Sequence, residues 1–224
     1  MNQPGLITSP YIRASAPQAR IAGGILAGGR SLRMGGGDKC LLDLAGKPIL
    51  SHVIERLRPQ VEALVLCANG DPCRFAGFGL PVVADSIDGF AGPLAGVLAA
   101  MDWAAANGHS HIVTAAADTP YFPIRLTTGL KFAIEASGAR LSMVHSPREG
   151  GGYFRQPTFA LYDVALRDNL REALNGGLRK VVQWTESQGC APIIFEGFGA
   201  DPFFNINTPE DLARAEGMGE LRRL

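Results

Sequence analysis

The stretch Leu26-Ala27-Gly28-Gly29-Arg30-Ser31-Leu32-Arg33-Met34-Gly35-Gly36-Gly37-Asp38-Lys39 continues a short apolar run and holds five glycines, two arginines and one lysine in fourteen residues. Glycines let backbone N–H groups converge on an anion without side chains in the way. The cations Arg30, Arg33 and Lys39 outnumber the single carboxylate Asp38, so the segment is locally positive. It reads as a polyphosphate cradle suited to a nucleoside triphosphate. A solvated glycine-rich turn is the plainer alternative, and three interleaved cations directly after a strand weigh against it. The spacing Gly-x-x-x-x-Gly-Lys-Ser/Thr is absent, as is Gly-x-Gly-x-x-Gly, so neither a P-loop hydrolase nor a dinucleotide oxidoreductase is indicated.

Working outward, apolar runs at 21–27, 63–67, 81–84 and 112–116 are short, unalternating and bounded by turn residues, the pattern of strands buried on both faces of a parallel sheet. Helical spacing follows at 48–57, 94–106 and 125–136, with Pro48 and Pro93 at starts and Gly138 at a stop. Further strands are expected at 141–145, 158–161 and 192–195, and helices at 164–174, 179–188 and 208–216. Strand and helix in alternation imply right-handed crossovers and an α/β fold: a single-domain, Rossmann-like, doubly wound, mostly parallel sheet with helices on both faces. Residues 21–224 are expected to form that domain and 1–20, with Pro4, Gly5, Pro10 and Pro17, a flexible tail.

Lys plus Arg and Asp plus Glu each number 21 in 224 residues, so the formal charge is zero and no global basic field points to nucleic acid. No run approaches the roughly 18 apolar residues of a membrane helix, and the first twenty residues lack a signal core; a cytoplasmic protein is expected. The cysteines Cys40, Cys67, Cys73 and Cys190 form no Cys-x-x-Cys pair and read as reduced thiols. Cys67 is expected in the core. Cys40, beside Lys39, is the thiol expected to be open to alkylation.

In such sheets ligands bind beyond the carboxyl ends of strands. Asp118 ends a strand in Ala-Ala-Ala-Asp-Thr-Pro and is the metal candidate, since magnesium takes one or two carboxylates plus phosphate oxygens; a turn or helix cap is its structural alternative. Asp85 stands similarly in Val-Val-Ala-Asp-Ser, where an Asx turn is an even alternative. Asn69 follows the strand at 63–67. The run Asn205-Ile206-Asn207-Thr208-Pro209-Glu210-Asp211 reads as a helix start, with Thr208 at the N-cap and Asp211 at the capping-box position; its two asparagines point to the same rim. His52, His109, His111 and His145 are scattered. If the acceptor is a phosphate monoester, its oxygen is already anionic near neutral pH and no general base is required.

Leu-Ala-Gly-Gly, a short spacer, Arg-Met-Gly-Gly and then Asp-Lys resembles the signature of the nucleotidyltransferases and, more narrowly, of the molybdenum cofactor guanylyltransferases, which join GMP to molybdopterin. The resemblance runs from about residue 21 to about residue 216. It implies the nucleotide-diphospho-sugar transferase type of fold, GTP and molybdopterin as substrates, magnesium (Mg2+) as cofactor, and transient contact with proteins that insert or deliver the cofactor. By resemblance, Lys39, Arg33 and Asp118 are catalytic, and Leu26, Ala27, Gly28, Gly29, Lys39, Asn69, Asp85, Gly92, Pro93, Gly96 and Asp118 hold the nucleotide. Gly92-Pro93-Leu94-Ala95-Gly96 would flank a purine, and Asp118 with Asn207 would hold the metal. Gln156-Pro157 stands where the family more often has His-Pro. Arg148 and Arg155 are candidate contacts for the anionic acceptor, and glycines 150 to 152 are read as a mobile flap. CMP transfer, transfer to a sugar or polyol phosphate, and a non-catalytic nucleotide-binding module are the competing readings.

Overall fold

In a computed structural model, which describes residues 19–28, 38–87, 92–148, 150–195 and 201–221, the apolar run at the start becomes the central strand. The chain runs β1 (Ile21–Leu26), a short hairpin β2 and β3 (Asp43–Leu44, Lys47–Pro48), α1 (Ile49–Leu57), β4 (Ala63–Cys67), β5 (Val82–Val83), α2 (Pro93–Ala106), β6 (His111–Ala116) and α3 (Leu126–Ser137). It continues with β7 (Leu141–Pro147), β8 (Tyr153–Asp163), α4 (Arg167–Asn175), α5 (Val181–Ser187), β9 (Ala191–Ile194) and α6 (Pro209–Leu221). Seven strands form one sheet in the order β5-β4-β1-β6-β8-β7-β9. β8 is antiparallel to both its neighbours and the other pairings are parallel, so the fold is the mostly parallel α/β sheet expected.

The chain steps outward from β1 to β4 and β5, then returns through α2 to β6 on the other side of β1. That reversal puts a crevice at the carboxyl ends of β1 and β6, the place where doubly wound sheets bind ligands. Register makes the rim explicit: Leu26 lies opposite both Cys67 and Ala116, and Cys67 lies opposite Val83. The four loops that follow these residues therefore leave the sheet at one level.

Side chains alternate across β1, as a strand's period of two requires. Ile21 and Ile25 join a core with Leu50, Val53 and Leu57 of α1 and Leu126 and Leu130 of α3. Ala22 joins the opposite core with Leu94, Val97 and Met101 of α2, and Leu170, Val181 and Trp184 beyond them. Gly23 and Gly24 set how closely the helices approach. A Cβ on Gly24 would lie 2.9 Å from the Cβ of Ala100, whereas one on Gly23 would lie 2.6 Å from a terminal methyl of Leu64. A smaller third cluster, Leu44, Ile49, Tyr121, Ile206, Ala215 and Met218, glues α6 to the β2–β3 hairpin.

Two features depart from the sequence reading. The hairpin at 43–48 has two residues per strand, too few to show a period, and turns through Ala45 (φ 54°) and Gly46 (φ 89°). β8 is eleven residues rather than four, because its first three residues, Tyr153 to Arg155, are exposed and the next three are only partly buried, so they carry no buried pattern. Among the described residues no helix is long and apolar enough to cross a membrane. The tail at 1–18 lies outside the described residues.

Gly24→Ala is expected to destabilise by about 1–3 kcal/mol, since backbone-borne Cβ atoms cannot yield without moving α2 off the sheet. Gly23→Ala is expected to cost less, because the Leu64 methyl can rotate away. Urea midpoints of the two variants check this ordering.

Candidate active site

The loop after β6 carries Asp118, and three chain segments meet at its carboxylate. Lys39 Nζ lies 2.6 Å from Asp118 Oδ2 and donates to Asn207 Oδ1 at 2.7 Å. The Thr119 hydroxyl, buried beneath, bridges Asp118 Oδ1 (3.1 Å) and the Asn205 side-chain amide. The Asp118 carbonyl accepts from Ile206 N–H at 3.0 Å. Residues 205–207 thus present alternate sides: Asn205 and Asn207 face the cluster, and Ile206 is fully buried in the third core. The capping box read from the sequence holds this segment in place. Asp211 Oδ2 accepts from Asn207 N–H (2.9 Å) and Thr208 N–H (3.0 Å), and Thr208 Oγ1 accepts from Asp211 N–H (3.2 Å). Tyr121 donates to the Ala215 carbonyl at 2.7 Å and ties α6 to the loop after Asp118.

With side chains only 16% and 24% exposed, Lys39 and Asp118 are sheltered from the screening that weakens surface pairs. The ammonium takes two oxygen acceptors, Asp118 Oδ2 and Asn207 Oδ1. Leu26 and Ala27 serve as anchors: Ala27 N–H donates to the Cys67 carbonyl (2.9 Å) and the Leu26 carbonyl accepts from Ala117 N–H (3.1 Å). Those two groups are committed to the sheet. Gly28 is exposed, with open space where a Cβ would stand. Gly29, Arg30 and Arg33 lie outside the described residues.

A second constellation lies across β1. Asn69 clamps Asp85 at two points, donating from Nδ2 to Asp85 Oδ2 (2.7 Å) and accepting from Asp85 N–H at Oδ1 (2.9 Å). Gly96 on α2 lies beneath: a Cβ there would meet Leu26 at 3.3 Å and Asp85 Oδ1 at 3.9 Å. Gly92 adopts φ 155°, a region that L side chains rarely enter, and hands the chain to Pro93 at the first turn of α2. Gly92, Pro93 and Gly96 thus bring small residues beside one carboxylate, Asp85.

Residues that the sequence did not mark complete the rim. Arg74, in a 3-10 turn at 72–78, donates to the Asn69 carbonyl (2.6 Å) and pairs with the Asp38 carboxylate. Nothing in Pro72-Cys73-Arg74 distinguishes it from a solvated arginine. Thr119 likewise reads as turn filler until Asn205 is brought beside it.

The β7–β8 hairpin carries the acceptor candidates past the rim. Arg148 stacks on Phe154 at 4.7 Å, Arg155 pairs with Glu186 at 2.5 Å, and Gln156 Nε2 donates to Ser146 Oγ at 2.9 Å. Gly150, Gly151 and Gly152 all have positive φ and make a turn closed by Arg148 N–H to the Gly152 carbonyl (3.1 Å), so their glycine content serves the turn's geometry. None of the four histidines joins the Lys39–Asp118 cluster among its described contacts; His52 Nε2 lies 2.7 Å from the Leu44 carbonyl, and burial holds His111 and His145 below the usual imidazole range.

Cys40 corrects an expectation. It is 5% exposed, and burial, reinforced by the neighbouring Asp38, pushes its thiol up to about 12, so it is closed to alkylation rather than open. Cys67 is core as expected, its thiol likewise pushed up to about 12 by burial. Iodoacetamide at pH 8 followed by peptide mass spectrometry is expected to label exposed Cys73 first. Cys40 should react only after denaturation.

Residues 23–189 match the family described as MobA-like NTP transferase domain. The chain is 44% identical over 210 residues to a molybdenum cofactor guanylyltransferase of a Bradyrhizobium species, covering 92% of this chain and 97% of that protein. It is 46% identical over 200 residues to one of Mesorhizobium japonicum, covering 87% and 94%. Among solved structures, molybdopterin-guanine dinucleotide biosynthesis protein A of Archaeoglobus fulgidus superposes with a TM-score of 0.66 at 23% identity, covering 89% of this chain and 99% of that one. A 4-diphosphocytidyl-2C-methyl-D-erythritol synthase of Anaerococcus prevotii superposes at 0.68 with 14% identity, covering 90% and 96%, and shares the fold. The chain belongs to the MobA-like NTP transferase family.

Proposed function

We propose that this protein transfers GMP from GTP to molybdopterin, giving the guanine dinucleotide form of the molybdenum cofactor and pyrophosphate. The observation that carries this is the meeting of Lys39, at the exit of the glycine-rich segment, with Asp118, in the loop after β6, in a chain whose relatives at 44–46% identity are named molybdenum cofactor guanylyltransferases. The floor of Gly92, Pro93 and Gly96 takes the base. Asp85, oriented by Asn69, accepts from its N–H edge. Lys39, joined by Arg33 of the glycine-rich segment, neutralises charge on the α-phosphate and the departing pyrophosphate. The acceptor's phosphate oxygen attacks the α-phosphorus in line, one P–O bond forms and the bond to pyrophosphate breaks. No proton has to move, which suits a Lys39–Asp118 cluster that no histidine joins among its described contacts. Gly28 and Gly29 let the triphosphate lie close to the backbone, while Arg148, Arg155 and Gln156 are placed to receive the acceptor. The Arg155–Glu186 pair is half exposed, and an incoming anion can compete for it.

The oxygen set fits magnesium. Asp118 Oδ2 and Asn207 Oδ1 already share one cation, the Lys39 ammonium, and no cluster of three His, Cys, Asp or Glu stands among the described residues. A hard ion there would complete its shell with phosphate oxygens and water, as magnesium does. When bound it would offset negative charge on the phosphates; Asp118 and Asn207 would hold it. Transient contact with proteins that deliver molybdopterin or take the product forms part of the same reading, with residues 21–224 as one domain in the cytoplasm.

Pyrophosphate release from GTP with molybdopterin as acceptor tests the assignment. Lys39→Ala and Asp118→Ala are each expected to lose on the order of 10² to 10³ in kcat, and CTP is expected to be a poor donor. A preference for CTP would move the chain to cytidylyl transfer, and binding without pyrophosphate release would make it a regulatory module. Because the Lys39 ammonium holds the two oxygens a divalent ion would use, Mn2+ binding without nucleotide, followed by electron paramagnetic resonance, is expected to be tighter in Lys39→Met than in the natural protein.

A further inference from the structure

Arg74 has a set of partners that a surface arginine does not need. Nη2 donates to the Asn69 carbonyl at 2.6 Å, Nη1 donates to the Asp71 carbonyl at 2.5 Å, and Nε pairs with Asp38 Oδ2. The guanidinium carbon lies 4.5 Å over the ring of Phe75, which is fully buried in the first core. Gly70, at φ 84°, makes room for it: a Cβ there would stand 3.3 Å from Nη1. The fork is therefore fixed by packing and by two carbonyls before it reaches Asp38.

Asp38 is the informative partner. It precedes the 3-10 turn Lys39–Leu41 at the position where an aspartate ordinarily caps the first N–H groups, yet its side chain makes no capping bond. The carboxylate is turned to Arg74 instead. At the other end of the glycine-rich segment, Ala27 N–H is bonded to Cys67, the last residue of β4. Both ends of the segment that leads to Lys39 are thus tied to one stretch, residues 67–74, which also carries Asn69.

We infer that Arg74 is a positioning residue for nucleotidyl transfer: through Asp38 it fixes the exit of the glycine-rich segment against the loop bearing Asn69, so that Lys39 arrives in register with Asp118. It links the residue at the base to the residue at the phosphates, and it acts through Lys39 rather than on the nucleotide. The inference rests on the transferase activity proposed above. A lysine at 74 cannot reproduce it, because an ammonium lacks the planar fork that serves two carbonyls and a carboxylate together.

A double-mutant cycle on the full chain, read as pyrophosphate release with GTP and molybdopterin, tests this. Arg74→Ala is expected to lower kcat by roughly 10- to 100-fold, the scale of an ångström-sized misplacement of a reacting group. Arg74→Lys is expected not to restore it. Asp38→Asn leaves the ties to residues 69 and 71 intact and is expected to lower kcat more than it raises KM for GTP, which serves if Arg74→Ala melts early. In a Lys39→Ala background, Arg74→Ala should add almost nothing, since its effect passes through the missing ammonium. Full activity of Asp38→Asn, or an undiminished penalty for Arg74→Ala when Lys39 is absent, overturns the inference while leaving the transferase reading standing. No turnover by the natural protein overturns both.

Discussion

One ammonium group organises the rim. Lys39 Nζ is held between a carboxylate from the loop after β6 and an amide oxygen from the segment before α6, residues far apart in the chain. Each acceptor is in turn held by something else: Asp118 by Thr119 and by Ile206 N–H, Asn207 by the capping box at the start of α6. A charge so sheltered is tolerated only where its partners converge on it, so the cluster constrains the approach of three segments at once. The third core, with Ile206 beneath and Tyr121 bonded to α6, holds those segments at that spacing.

The other half of the rim depends on closeness rather than charge. Glycines in β1 and alanines in α2 let the helix lie nearly against the sheet, and Gly96 continues that closeness to the strand ends, where Leu26, Cys67 and Asp85 surround it. The same small residues that permit tight packing in the second core leave a surface of small side chains at its upper edge. Tight packing in the core and small side chains at the rim are thus two consequences of one choice of residue size. Asn69 adds direction, spending both ends of its amide on Asp85 so that the carboxylate stays aimed across that surface.

Much of this was legible beforehand for definite reasons. The unalternating apolar runs at β1, β4 and β6 announce strands covered on both faces, and Asn69, Asp85 and Asp118 announce themselves as polar residues directly after such runs. Thr208, Pro209 and Asp211 mark the start of α6 by their spacing alone, and the reciprocal bonds are those the spacing implies. Arg74, Thr119 and the role of Asn205 were not legible. Each matters through a partner that sequence distance hides, and each has an ordinary surface or turn reading of its own. The misjudged Cys40 has the same origin: adjacency to Lys39 suggested access, while the turn rotates its side chain inward against α1 and the first core.

By itself, the amino-acid order determined the alternation of strand and helix, a glycine-rich segment interleaved with cations, the strand-end carboxylates and a family resemblance resting on contiguous motifs. These are local properties, set by periodicity, backbone freedom and turn chemistry within a few residues. Only the tertiary structure decided that Leu26, Cys67, Val83 and Ala116 end at one level, that Lys39 falls between Asp118 and Asn207, and that Arg74 ties the loop bearing Asn69 to Asp38. Strand register and helix docking arise from burial summed over the whole core, and no stretch of chain carries that sum within itself.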